Sequence, residues 1–115
     1  MKFKVILASV KTDLTDIVVD AAKTAGATGA TIIPARGTGM REAKTFFGLS
    51  LEAPTDIIML LLEEHIVRQV LAAISAAGKF DQPGTGIAFV LPVEAAVGLE
   101  SQMERFKQEV REQYF

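Results

Sequence analysis

The chain has no cysteine and no tryptophan, and only one histidine and one tyrosine. Each shortage removes a class of chemistry. Without cysteine there is no disulfide, no thiolate zinc site and no cysteine nucleophile. One histidine, His65, is too few for a multi-histidine metal site within one chain. It also leaves any Ser/His/Asp chemistry resting on a residue in the first turn of a predicted helix, an ordinary place for a surface histidine. Positive charge is short as well. A formal net charge of −2 lacks the basic footprint that broad nucleic-acid binding requires. Long apolar runs are missing: the longest, Ile57 to Leu62 ("IIMLLL"), falls far below the ~20 residues of a membrane span. The opening "MKFKVILASV" is followed by Lys11, Thr12 and Asp13 where a signal-peptide cleavage site would fall. A folded cytoplasmic protein without direct membrane insertion is the expectation.

What is present is apolar surface. Half of the 115 residues are apolar, and a chain this short forms one domain that buries only roughly 65% of its surface alone. The surplus points to burial between subunits. Four segments read as strands: "KFKVILASV" from Lys2 to Val10, "ATIIPARG" from Ala30 to Gly37, "DIIMLLLE" from Asp56 to Glu63, and "IAFVLPV" from Ile87 to Val93. The first and third are apolar on both faces, as strands covered on both sides are. Pro34 lacks an amide donor, so the second strand is expected at a free edge or a bulge. A helix capped by Thr12 or Asp13 follows the first strand, with Leu14, Ile17, Val18, Ala21 and Ala22 as its apolar stripe and Gly26 as its stop. A second helix is expected from about Glu63 to Ala77, carrying Ile66, Val67, Val70, Leu71 and Ile74, with Gly78 closing it. The two halves thus repeat as β-α-β. Two such units joined by a long loop make an α+β, ferredoxin-like βαββαβ domain, an antiparallel sheet with both helices on one face. The other face must then be covered by something, and copies of the same chain are the economical choice.

The C-terminal stretch 100–115 reads as a further helix, with Ser101 and Glu104 as a capping box and Met103, Phe106, Val110 and Tyr114 as its apolar seam. Catalytic motifs are weak. The carboxylate pairs Glu63/Glu64 and Asp13/Asp16 sit where the helix macrodipole favours negative charge. RNA recognition on this fold stacks bases on aromatic residues of central strands, and "DIIMLLLE" has none. Two glycine-rich segments remain, "RGTG" (Arg36 to Gly39) and "PGTG" (Pro83 to Gly86). Successive glycines let backbone amides turn toward a phosphate or carboxylate. Such clusters also serve simply as turns, but each of these flanks a strand, a placement that would let the two meet at one edge of the sheet or across subunits in a shared anion or nucleotide site.

The order of elements and the motifs "TGAT" before strand two, "G-x-G" opening the long loop, and "AAGK…G-x-G-I-x-F-V-x-x-V" resemble the PII signal-transduction superfamily over nearly the whole chain, the last helical segment apart. The chain looks like a divergent, PII-like member. The resemblance implies a homotrimer packed through its sheets, with adenine nucleotides (AMP, ADP, ATP or cyclic AMP) as effectors in clefts between subunits and no obligatory cofactor. It implies ligand binding by Thr31, Gly37, Thr38 and Gly39, and by Gly84, Thr85 and Gly86 of a B-loop at 79–86. It also implies a protruding T-loop at 37–55 that docks on a regulated partner, a membrane transporter or an enzyme of nitrogen or carbon metabolism. Phe46, Phe47 and Leu49 would anchor that docking beside Lys44.

The departures from the family pattern are specific. Ile87 stands where main-line members carry a lysine, Gly98 and Glu100 where they carry an arginine pair, and Arg41 where a glutamine helps place magnesium and 2-oxoglutarate. Two charge-assisted phosphate contacts, each worth roughly 1.5–3 kcal/mol, are absent. Arg36, Arg41 and Lys44, and more weakly Arg105, are the replacement cations. No tyrosine lies between Met40 and Pro54, so the loop has no uridylylation site. The expected function is a trimeric, non-enzymatic regulator. The alternatives are a trimer of this fold without nucleotide sensing, either of metal-tolerance type or a pure docking module, and a small enzyme working at a subunit interface.

Overall fold

The structure, a computed structural model, describes residues 2–36, 45–46, 49–50 and 54–99. Strand β1 (Phe3–Lys11) leads through a 3-10 turn (Thr12–Leu14) into helix α1 (Thr15–Thr24) and then β2 (Thr31–Ala35). Two short strands, β3 (Thr45–Phe46) and β4 (Leu49–Ser50), pair with each other within the long connection. Strand β5 (Thr55–Glu63), a second 3-10 turn (Glu64–Ile66), helix α2 (Val67–Gly78) and β6 (Gly86–Pro92) follow. The main sheet has the order β2-β5-β1-β6, and every pairing in it is antiparallel. This is the ferredoxin-like α+β arrangement that the repeated β-α-β pattern predicts. Pro34 falls on β2, an edge strand, where a missing amide donor costs no ladder bond. No helix among the described residues is long and apolar enough to cross a membrane.

Period-two alternation divides the sheet. Ile6, Ala8 and Val10 of β1 and Ile58, Leu60 and Leu62 of β5 are buried under the helices, where Val18, Ala22, Val70 and Ile74 meet them. The buried face of α1 is Thr15, Val18, Val19 and Ala22. Ile17, expected in the apolar stripe, is exposed, because the face that meets the sheet is centred on Val18 and Ala22 and turns toward Thr15 and Val19 rather than Ile17 and Ala21. The α-helix itself begins later than a Thr12 or Asp13 cap would have it. Leu14 occupies the N-cap without a side-chain bond. Thr15 instead donates its hydroxyl to Asp56 Oδ2 at 2.6 Å, tying the first turn of α1 to the start of β5. At the second helix Glu63 stays in the sheet opposite Phe3, and the Glu64 amide donates to the Lys2 carbonyl at 2.9 Å. The α-helix therefore starts at Val67 rather than near Glu63.

The helix ends differ from each other. Gly26 takes a positive φ of 124° after α1, as expected of a terminating glycine. After α2 the left-handed residue is Lys79 (φ 54°), and Gly78 remains helical and buried. The reason is Phe80. A Cβ on Gly78 would lie 2.3 Å from the Phe80 ring, so the glycine is needed for packing and the reversal falls one residue later. A left-handed lysine is strained by roughly 1–2 kcal/mol. Lys79→Gly is accordingly expected to raise stability by about 0.5–1 kcal/mol, net of glycine's larger unfolded-state entropy. A urea midpoint that falls in this variant would refute that account.

Candidate functional site

One end of the sheet gathers the strand ends next to both glycine-rich segments. Val10 of β1 pairs with Gly86 of β6, while Lys11 and Ala35 flank Thr55 of β5. The connections 36–54 and 79–85 therefore leave the sheet at the same end. They do not leave from the same edge. Strands β2 and β6 are the two outer strands, with β5 and β1 between them, a separation of roughly 14 Å at ordinary strand spacing. Strand order thus sets the last described residue before the first glycine segment, Arg36, and the 79–85 loop at opposite edges of the sheet.

The 79–86 loop is built tightly. The Lys79 amide donates to the Ala76 carbonyl at 3.3 Å, Phe80 to Ser75 at 3.0 Å, and Gln82 to Lys79 at 2.9 Å. Thr85 Oγ1 donates to the Lys79 carbonyl at 2.6 Å, with the Gln82 carbonyl at 2.9 Å. Its proton is thus committed to closing the loop. Gly84 holds a φ of 81°, which a side chain would strain. Gly86 lies beneath Phe80 and against β1: a Cβ there would stand 2.5 Å from the ring and 2.8 Å from the Ser9 carbonyl oxygen. What the loop offers outward is backbone. Neither the Gly84 nor the Thr85 amide makes a backbone hydrogen bond to another described residue, and consecutive unengaged amides are a chemistry that receives an anion.

The remaining expected site residues are spread more widely. Arg36 follows β2 at the loop end of the sheet and is exposed. Thr31 is exposed at the far end of β2, opposite Met59 and four residues from Ala35, roughly 13 Å along the strand. Gly37, Thr38, Gly39, Arg41, Lys44 and Phe47 lie outside the described residues, as do Arg105 and the rest of the C-terminal stretch 100–115. Phe46 and Leu49 are cross-strand partners in the β3–β4 pair. His65 is exposed and sits 3.2 Å from Glu63. Among the described residues no three His, Asp or Glu side chains gather as a metal site would require.

The sheet face turned away from the helices completes the description. Val5 and Leu7 of β1, Ile33 of β2, Ile57, Met59 and Leu61 of β5, and Ile87, Phe89 and Leu91 of β6 share it by alternation and register. Phe89 is 45% exposed and Leu91 44%, part of a contiguous apolar patch of the kind that marks an interaction surface. A family model, "Nitrogen regulatory protein P-II", matches residues 3–103 of this chain. The chain belongs to the P-II family. Its fold is similar to the crystal structure of a protein from Thermus thermophilus described as PII-like and signaling, with a TM-score of 0.61. The two are 24% identical, over 81% of this chain and 87% of that one, a likeness that speaks for the fold alone. No curated protein matches the sequence.

Placed in the P-II frame, the match spans both glycine segments and all four long strands, and runs only into the beginning of the C-terminal stretch. Sequence reasoning missed Phe80. It occupies a loop position where bulk has no periodic signature, yet its ring crowds both Gly78 and Gly86, the latter together with the Ser9 carbonyl. The spacing Gly-x-Phe ahead of a second glycine is the available signal, and it does not reveal which atoms touch.

Proposed function

We propose that this P-II protein is a homotrimeric regulator without catalytic activity, working in the cytoplasm. It binds an adenine nucleotide in clefts between subunits and controls a partner, a membrane transporter or an enzyme of nitrogen or carbon metabolism, through the 37–55 segment. The observation that carries this reading is the open sheet face. Nine large apolar residues lie on one side of four strands, and copies of the chain packed through that side would bury them together. The rim of such an interface passes the 79–86 loop, whose free amides suit phosphate oxygens. It would also bring that loop toward the end of β2 in a neighbour, an edge that a single protomer keeps on the other side of its sheet.

The test is isothermal titration of the purified chain with ATP, ADP, AMP and cyclic AMP, with and without magnesium, alongside light scattering for mass. A trimer that binds at least one of the four is the expected result. A trimer that binds none would leave the second reading, a docking module without nucleotide sensing. Ile87 favours that second reading, because it places an apolar side chain on the open face immediately after the loop glycines. A monomer at high concentration would overturn both.

A further inference from the structure

We infer that Lys11 is the cation of an anion site formed with the Gly84 and Thr85 amides, and that it engages the phosphate of the bound nucleotide; this rests on the nucleotide reading above. The sequence pattern ends the first strand at Val10, but the ladder continues one residue further, to Lys11 opposite Thr55. On the other side Val10 pairs with Gly86, so Lys11 stands beside the end of the glycine loop. By alternation it shares the open face with Ser9 and Leu7. Ala35, Thr55 and Lys11 form the last row of that face at the loop end, below rows that are almost wholly apolar.

The electrostatics of that row are one-sided. Asp56, the neighbouring carboxylate, belongs to the helix-facing register and accepts the Thr15 hydroxyl. The ion pairs among the described residues are Lys4 with Glu64 and His65 with Glu63, at the opposite end of the sheet. Lys11 has no partner in either, although it is already half-buried. Covering the open face with another subunit would desolvate it further, and a cation in that position needs a counter-charge. The amides beside it need the same kind of ligand. An oxyanion satisfies both at once.

The experiment titrates wild type, Lys11→Gln and Lys11→Arg, all full chain, with ATP, AMP, adenosine and inorganic tripolyphosphate, with mass measured in parallel. Lys11→Gln is expected to bind ATP about ten-fold more weakly, the loss of one charge-assisted contact. Adenosine affinity should not change, and Lys11→Arg should recover most of the loss. Wild type that binds ATP with Lys11→Gln unchanged would overturn the role of Lys11 and leave nucleotide sensing standing. Equal losses for ATP and adenosine would make Lys11 merely structural and overturn it too. A lower trimer mass with unaltered ATP affinity would assign its counter-charge to another subunit and likewise overturn its phosphate role. Wild type that ignores nucleotides yet binds tripolyphosphate through Lys11 would sink the nucleotide and keep the anion site. Failure to bind either would remove both.

Discussion

Gly86→Ala is expected to destabilise the chain by about 3 kcal/mol, the upper end of the usual overpacking range. A Cβ at this position meets the Phe80 ring at 2.5 Å and the Ser9 carbonyl oxygen at 2.8 Å. The ring can rotate away at some loss of packing. The carbonyl belongs to the backbone of β1, in the middle of the sheet, and cannot move without disturbing both of its ladders. Phe80→Ala alone should lose about 2 kcal/mol, as truncation of a half-buried aromatic does. In the double variant the ring clash is gone and the Ser9 clash remains, so the combined loss should fall short of the sum by about 1 kcal/mol. Urea unfolding of the four proteins measures this cycle. Strict additivity would mean that the ring and Gly86 do not touch, and a Gly86→Ala variant as stable as wild type would place the start of β6 elsewhere.

The same clash governs how binding data on this loop are interpreted. A glycine in a phosphate-binding segment invites substitution as a test of the cradle. Here the glycine is required by packing, so lost affinity in a Gly86 variant says nothing about ligand contact unless stability is measured with it. Gly84 is no better, since its φ of 81° already excludes a side chain. Thr85 is also misleading as a contact residue, because its hydroxyl is engaged with the Lys79 and Gln82 carbonyls. The groups that can be tested cleanly are those outside the loop whose removal leaves it intact, which makes Lys11 the informative position.

Much of this fold is legible in the residues. Unbroken apolarity in "DIIMLLLE" and in the first strand reflects two faces that must both leave water, and the structure resolves that into buried Ile58, Leu60 and Leu62 against open-face Ile57, Met59 and Leu61. Pro34 declares its edge because a missing donor acts locally. The errors fall where a distant group decides. Thr12 and Asp13 carry capping chemistry, but the start of α1 is set by Thr15 reaching Asp56 on another strand. Gly78 carries the composition of a helix stop, and a ring two residues ahead forces it to serve packing instead. A charge after Val10 looks like a strand boundary, whereas antiparallel pairing with Thr55 extends the ladder to Lys11. The candidate site is half legible for the same reason. Glycine clusters are visible in one dimension, but that the strands beside them, β2 and β6, lie at opposite edges of the sheet depends on strand order.

Phe89→Asp is expected to abolish the proposed trimer while leaving the protomer folded. Phe89 lies in the row of Thr31, Met59 and Leu7, and its 45% exposure in the single chain shows that the helix-side core does not need it. The substitution therefore leaves Val90 and Ala88, which pack toward the core, undisturbed. In a closed trimer the effect is multiplied. Three carboxylates would enter the buried interface without partners, each carrying a desolvation penalty of several kcal/mol, or about 10 kcal/mol for the assembly. Light scattering should give a monomer mass where wild type gives a trimer, and far-ultraviolet dichroism should be unchanged. Nucleotide binding should disappear with the assembly if the ligand lies between subunits, since β2 and β6, the strands next to the two glycine segments, are the outer strands at opposite edges of the sheet. A monomeric variant that still binds nucleotide at full affinity would confine the site to the 79–86 loop of one chain and refute the cleft. A variant that remains trimeric would show that the subunits meet through another surface, leaving the open apolar face to the partner.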